Sequence, residues 1–169
     1  MDKFLVYGPC RIKGQVNIQG SKNAALPILA STILFEKPVI IKNLPRVKDI
    51  DTMLNLLKSL GLKVQLFDYK RTVRVSRNKK LKFLASYSLV KTMRAGILVL
   101  GPMISKYHKS ITSLPGGCLI GARPVNFHLN ALKKLGMKYK IKKGYIHASS
   151  KGKLKGAKIK FPKISVGAT

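Results

Sequence analysis

The sequence predicts a layered α/β fold built from one repeated unit, and three observations carry that expectation. Strand-like and helix-like segments recur in the same order, strand, helix, strand, helix and strand pair. The punctuation Leu60-Gly61-Leu62-Lys63-Val64 returns as Leu135-Gly136-Met137-Lys138-Tyr139. A third start, Gly156-Ala157-Lys158-Ile159-Lys160, parallels Gly14-Gln15-Val16-Asn17-Ile18. The units are expected at about 14–76, 89–149 and 156–169, the last incomplete.

Each element follows from its pattern. Gly14 to Gly20 alternates apolar and polar residues between glycines, as a short strand does. Ser21 is a suitable N-cap, and Ala24 to Phe35 is rich in Ala, Leu and Ile nearly all round, as in a helix buried between layers. Pro27 is expected in its first turn. Pro38 to Asn43 reads as a strand, and Asp51 to Leu60 as an amphipathic helix with Met53, Leu56, Leu57 and Leu60 on one stripe, closed by Gly61. Leu62–Phe67 and Thr72–Val75 alternate as a strand pair. In the second unit an apolar helix is expected from Leu89 to Ile104, a strand over 110–113 and a helix from Val125 to Leu135. A strand pair over 137–141 and 145–149 completes it.

Composition bounds the rest. A chain of 169 residues with 46% hydrophobic content is near one domain in size and can fill a core. There is no apolar run long enough to span a membrane and no signal-peptide layout at the N-terminus, so a cytoplasmic protein without membrane attachment is expected. The two cysteines, Cys10 and Cys118, exclude a disulfide framework and a cysteine-based zinc site; Cys10 suits a small buried hydrophobe. The net charge of +29 raises nucleic-acid binding, but the lysines are spread along the chain rather than gathered. The expectation is therefore a solvated face and no nucleic-acid partner.

The stretch from Ser113 to Pro124 carries the strongest chemical signal. Gly116 and Gly117 relax the backbone ahead of the Cys118 thiol, and Arg123 offers a planar cationic fork for phosphate or carboxylate. Arg94 lies in an apolar segment, where an unpaired charge is costly, so it should face a cleft or a partner. His108 and His147 carry no motif and are read as surface residues.

Five segments together resemble the UDP-N-acetylglucosamine 1-carboxyvinyltransferases, the enolpyruvyl transferases of peptidoglycan synthesis. They are Gly20–Pro27, Lys91–Ala95, Leu114–Cys118, Gly121–Val125 and Ser165–Thr169, and the likeness runs from Met1 to Thr169 without a large gap. The resemblance implies βαβαββ units around a pseudo-threefold axis, an inside-out α/β barrel, with only the first of two domains present and its third unit incomplete. It implies transfer of the enolpyruvyl group of phosphoenolpyruvate to the 3-hydroxyl of UDP-N-acetylglucosamine, with no cofactor and no metal.

On the same footing Cys118 is the catalytic general acid, able to form an adduct with phosphoenolpyruvate and to be alkylated by fosfomycin. Lys22 and Asn23 contact phosphoenolpyruvate, Arg94 binds substrate, and Arg123, Pro124, Val125, Asn126 and Phe127 hold the nucleotide sugar. Asn126 and Phe127 depart from the Asp and Leu of a well-studied relative, and His128 follows, where a structural role is the leading reading and a nucleotide contact the alternative. Lys163, Ile164, Ser165 and Val166 match a diphosphate-binding segment. The general base and further arginines belong, by the resemblance, to a missing C-terminal domain. A catalytically inactive remnant is the alternative reading, and the sibling that makes enolpyruvylshikimate phosphate is disfavoured by the Pro-Gly-Gly-Cys loop.

Overall fold

The computed structural model describes residues 3–78, 80–115, 125–165 and 168. Two α/β units follow one another. In the first, α1 (Lys22–Ser31) continues into a 3-10 turn (Thr32–Leu34) and is followed by β1 (Val39–Ile41), α2 (Lys48–Ser59), β2 (Lys63–Phe67) and β3 (Thr72–Ser76). These strands form an antiparallel sheet in the order β1-β3-β2. The second unit contains β4 (Leu84–Ala85), α3 (Tyr87–Val90), a 3-10 stretch (Arg94–Val99), α4 (Leu100–Tyr107), β5 (Lys109–Ser113), α5 (Asn126–Lys134), β6 (Lys138–Lys142) and β7 (Tyr145–Ser149). Its sheet runs β4-β5-β7-β6, parallel between β4 and β5 and antiparallel elsewhere.

The helical stripe of α2 works as its spacing dictates, with Met53, Leu56 and Leu57 fully buried. They pack with Leu26 and Leu29 of α1 and Val73 and Val75 of β3 in one core. A second core gathers Leu100 and Ile104 of α4, Leu129 of α5, Met137, and Ile146 and Ala148 of β7. Ile97 belongs to this second core whereas its neighbour Val99 belongs to the first, so the 3-10 stretch stitches the two together. Fully burying each such side chain contributes roughly 1.5–3 kcal/mol.

Both Leu-Gly marks are Schellman caps. After α2, the amide of Gly61 donates to Lys58 O (2.9 Å) and that of Leu62 to Leu57 O (3.1 Å); after α5, Gly136 donates to Lys133 O (3.0 Å) and Met137 to Leu132 O (3.0 Å). Both glycines have positive φ, +92° and +109°.

Several expectations are corrected. Residues 14–20 form no strand, and the apolar side chains ahead of α1 are exposed, Ile12 at 96% and Ile18 at 83%; alternation supplies a face, but no described strand lies alongside to complete a ladder. The third unit likewise has no strand over 156–160. That segment is tied instead by Lys155 N donating to Leu135 O (2.9 Å) and by Leu154 packing on the second core. Helix α1 is not buried all round, since Ile28 is half exposed, and Pro27 falls in its second turn, where it cannot donate to the Asn23 carbonyl.

A further correction concerns the single helix expected over 89–104, which is three pieces preceded by a strand too short to show alternation. Met93 is extended (φ −144°, ψ 109°), Gly96 packs on Val90, and α4 restarts so that Pro102 sits in its first turn. Cys10, expected to be buried, is exposed. His108, read as a surface residue, is half-buried: it caps α4 in the left-handed region (φ 58°), and its Nδ1 lies 3.1 Å from Ser150 Oγ.

A staple of charge joins α4 to the segment after the first 3-10 turn. Lys106 Nζ donates to Glu36 Oε1 at 2.9 Å, and Arg77, stacked 5.6 Å above the Tyr107 ring, adds a second positive charge nearby. The Lys106 hydrogen bond and charge, then Arg77, hold the Glu36 carboxyl below its ordinary 4.5. Because the folded pKa is depressed, the staple contributes stability above the unfolded carboxyl pKa and loses it as pH falls through the folded one. Glu36→Gln should therefore lower the urea midpoint slightly at pH 7, and that difference should vanish as pH falls through the depressed folded pKa and the carboxyl becomes neutral. A difference that persists unchanged in acid would refute the ionic origin.

Candidate active site

The segment Gln19-Gly20-Ser21-Lys22-Asn23 is built against the loop that opens α2. Gly20 approaches it so closely that a Cβ would lie 2.1 Å from the Asn43 carbonyl oxygen. Gln19 Oε1 accepts from Arg46 N at 3.2 Å, and the loop is anchored by Leu44 N donating to Arg71 O at 2.8 Å. Ser21 then caps α1, its Oγ accepting from Ala24 N (3.4 Å) and its carbonyl from Ala25 N (2.9 Å).

Lys22 is consequently the first residue of α1, and its Nζ sits 2.9 Å from Asp49 Oδ2 in the first turn of α2. Both side chains are substantially exposed, 46% and 35%, so the pair fixes position more than it adds stability. Asn23 beside it is exposed. Two helix N-termini, each favouring negative charge, thus converge with the Lys22 cation, and Asp49 occupies one side of it. Beside the start of α2 lies a cavity of about 270 Å³ lined by Pro45, Arg46, Lys48, Asp51 and Lys70 among others.

Arg94 opens the 3-10 stretch, half-buried and engaged within the fold, in an element that packs on α1. Val125 is buried at the N-cap of α5, Asn126 is the exposed first residue of that helix, and Phe127 is half-buried. The Phe127 ring stacks on Phe161, with centroids 5.7 Å apart and 29° between planes. Lys163 and Ile164, both exposed, and half-buried Ser165 follow Phe161 in the chain. His128, half-buried, follows on the same helix.

The structure therefore sets Lys22 and Asn23 at the α1–α2 junction and Val125 to Phe127 at the head of α5, against Phe161. Arg94 stands on the element shared by both cores. Cys118, Arg123, Pro124 and Val166 lie outside the described residues. Sequence reasoning missed Asp49 as the partner of Lys22; the signal available was its pairing with Asp51 in a helix first turn, where carboxylates are favoured. Among the described residues no helix is long and apolar enough to cross a membrane.

A profile of the EPSP synthase (3-phosphoshikimate 1-carboxyvinyltransferase) family matches residues 6–169. The UDP-N-acetylglucosamine 1-carboxyvinyltransferase of Pelagibacter ubique is 59% identical over all of this chain and 40% of its own length. Relatives of the same name from Hamiltonella defensa and Klebsiella pneumoniae are 53% and 52% identical over the same shares. The chain thus spans about two fifths of the length of the curated relatives it matches. Among solved structures, the enolpyruvyl transferase NikO from Streptomyces tendae superposes with a TM-score of 0.71 at 16% identity, over 86% of this chain and 31% of that one. An EPSP synthase from Acinetobacter baumannii gives 0.69 at 15% identity, over 92% and 36%. These two likenesses show a shared fold.

Proposed function

The chain belongs to the EPSP synthase family, and from that membership we propose that it forms the first part of an enzyme transferring the enolpyruvyl group of phosphoenolpyruvate to the 3-hydroxyl of UDP-N-acetylglucosamine. The carrying observation is the Gly20–Asn23 segment. Its glycine, cap and lysine each have a structural task that ends in a cation held at a helix N-terminus. Identity of 50–59% to relatives bearing that enzyme's name supports the choice of nucleotide-sugar acceptor.

In the proposed reaction the 3-hydroxyl oxygen bonds to C2 of the enol while the methylene C3 accepts a proton and the hydroxyl gives one up. The tetrahedral adduct then releases phosphate by cleavage of its C2–O bond, and C3 returns a proton to regenerate the vinyl ether. Lys22, beside the α1 dipole, binds the phosphate and carboxylate oxygens, and Asn23 hydrogen-bonds them. Their contribution grows where charge accumulates in the adduct. Asn126 and the segment 163–165 hold the nucleotide sugar. Cys118 supplies the proton to C3, and the base for the hydroxyl is assigned to a further domain.

The chain on its own is proposed to bind ligands while turning over slowly or not at all. Phosphate release with both substrates should be far below that of a full-length relative, and fosfomycin should add once, at Cys118. Titration should show binding of UDP-N-acetylglucosamine and none of shikimate 3-phosphate. A preference for the shikimate ester, or no fosfomycin adduct, would overturn the assignment.

A further inference from the structure

Along the sequence the lysines look dispersed, but strand register aligns four of them. Lys109 of β5 faces Ser149 of β7, which faces Lys138 of β6; Ile111, His147 and Lys140 form the next row, and Ser113, Tyr145 and Lys142 the third. Side chains two apart share a face, so Lys138, Lys140 and Lys142 stand as a comb along the edge strand, with Lys109 across the sheet. All four, and His147 between them, are exposed. An open groove of about 380 Å³ is lined by Lys138, Tyr139, Lys140, Lys142, His147 and Ser149.

No carboxylate is available to neutralise this comb from its own unit, because none of the five acidic residues lies beyond Asp68. Like charges two residues apart repel, and a polyanion laid along the strand would relieve that repulsion. The comb repeats every ~6.6–6.8 Å, comparable to the step between successive phosphates of an extended single strand. The imidazole of His147 lies in the middle row, where a base can stack, and the phenol of Tyr145 is in the row beside it. From this we infer that the outer face of the β5-β7-β6 sheet binds single-stranded nucleic acid, independently of the transferase site. For this one face the proposal departs from the expectation of a uniformly solvated charge.

Fluorescence anisotropy with a labelled single-stranded RNA of about 15 nucleotides, within the range of small single-strand footprints, tests this. Replacing Lys138, Lys140 and Lys142 together by Gln should weaken binding at least tenfold. The slope of log K against log salt should fall by about 2, given roughly 0.7 per phosphate contact on single strands. The equally charge-reducing triple Lys151→Gln, Lys153→Gln, Lys155→Gln should cost less than about threefold, and His147→Ala about fivefold with the slope unchanged. All seven side chains are exposed, so every variant keeps the fold, as matching thermal midpoints will show. Equal losses from the two triples would reduce the effect to net charge and overturn the site. Tighter binding to duplex DNA or to anionic phospholipid vesicles than to the RNA would overturn the choice of partner. Absence of RNA binding at about 100 mM salt would leave the comb as a guard against edge pairing and end the proposal.

Discussion

Replacing Gly61 by alanine should destabilise the protein by about 2–5 kcal/mol, whereas the same change at Gly136 should cost only about 1–2 kcal/mol. The two glycines close corresponding helices with the same Schellman hydrogen bonds and the same sign of φ, so the left-handed penalty is common to both. Their surroundings differ. A Cβ on Gly61 would lie 2.4 Å from the Lys80 carbonyl oxygen and 3.1 Å from Leu81 Cα, while nothing stands within 4 Å of one on Gly136. The obstructing chain is held in place because Lys82 N donates to Leu60 O at 2.9 Å, so relief requires breaking a cap contact. Marginal stability makes the larger figure enough to unfold a sizeable fraction of the molecules. Urea unfolding of both variants at one pH is the measurement, and equal midpoints would show that the 80–82 segment yields freely.

That contrast also marks what the sequence could disclose. The helix stop, its glycine and the strand after it are local, and periodicity located α2, α5 and the pairs β2–β3 and β6–β7 within a few residues. What the sequence does not print is which chain passes behind a given glycine. The same limit explains the failures. Residues 14–20 and 156–160 alternate as strands do, yet a strand exists only with a neighbour, and periodicity does not report neighbours. The apolar run 89–104 has the length of one helix, but Met93, Gly96 and Pro102 divide it through backbone and packing constraints that hydropathy ignores.

The candidate site was legible in a different way. Lys22, Asn23 and Arg94 are candidates through motif likeness, and the structure supplies physical reasons for the neighbouring letters: Gly20 for approach, Ser21 for the cap. Asp49 was invisible because it is 27 positions from Lys22 and meets it only through the convergence of two helix starts. The lysine comb was invisible for the opposite reason. Its members are close in sequence but interrupted by Tyr139 and Ile141, which alternate with them on the opposite face of the strand, so a one-dimensional reading counts them as scattered.

Gly20→Ala should couple stability to the candidate site, lowering stability by about 2–3 kcal/mol and weakening the proposed phosphoenolpyruvate binding at least tenfold. The obstacle is the Asn43 carbonyl, 2.1 Å from where the new Cβ would sit, with the Asn43 carbonyl carbon at 3.3 Å and Pro45 Cδ at 3.7 Å. Asn43 itself lies in the left-handed region (φ 57°), and the following amide is bonded to Arg71 O, so this loop has little freedom to withdraw. The 19–22 segment must move instead. Such a shift stretches the Gln19–Arg46 bond at 3.2 Å and carries Lys22 away from Asp49. Lys22→Ala, by contrast, removes an exposed side chain and should weaken phosphoenolpyruvate binding while changing stability by less than about 1 kcal/mol. Comparing the two by urea unfolding and by ligand titration separates placement of the lysine from its charge. If Gly20→Ala destabilises the fold yet binds phosphoenolpyruvate as the parent does, the α1–α2 junction is a structural joint and the anion site lies elsewhere.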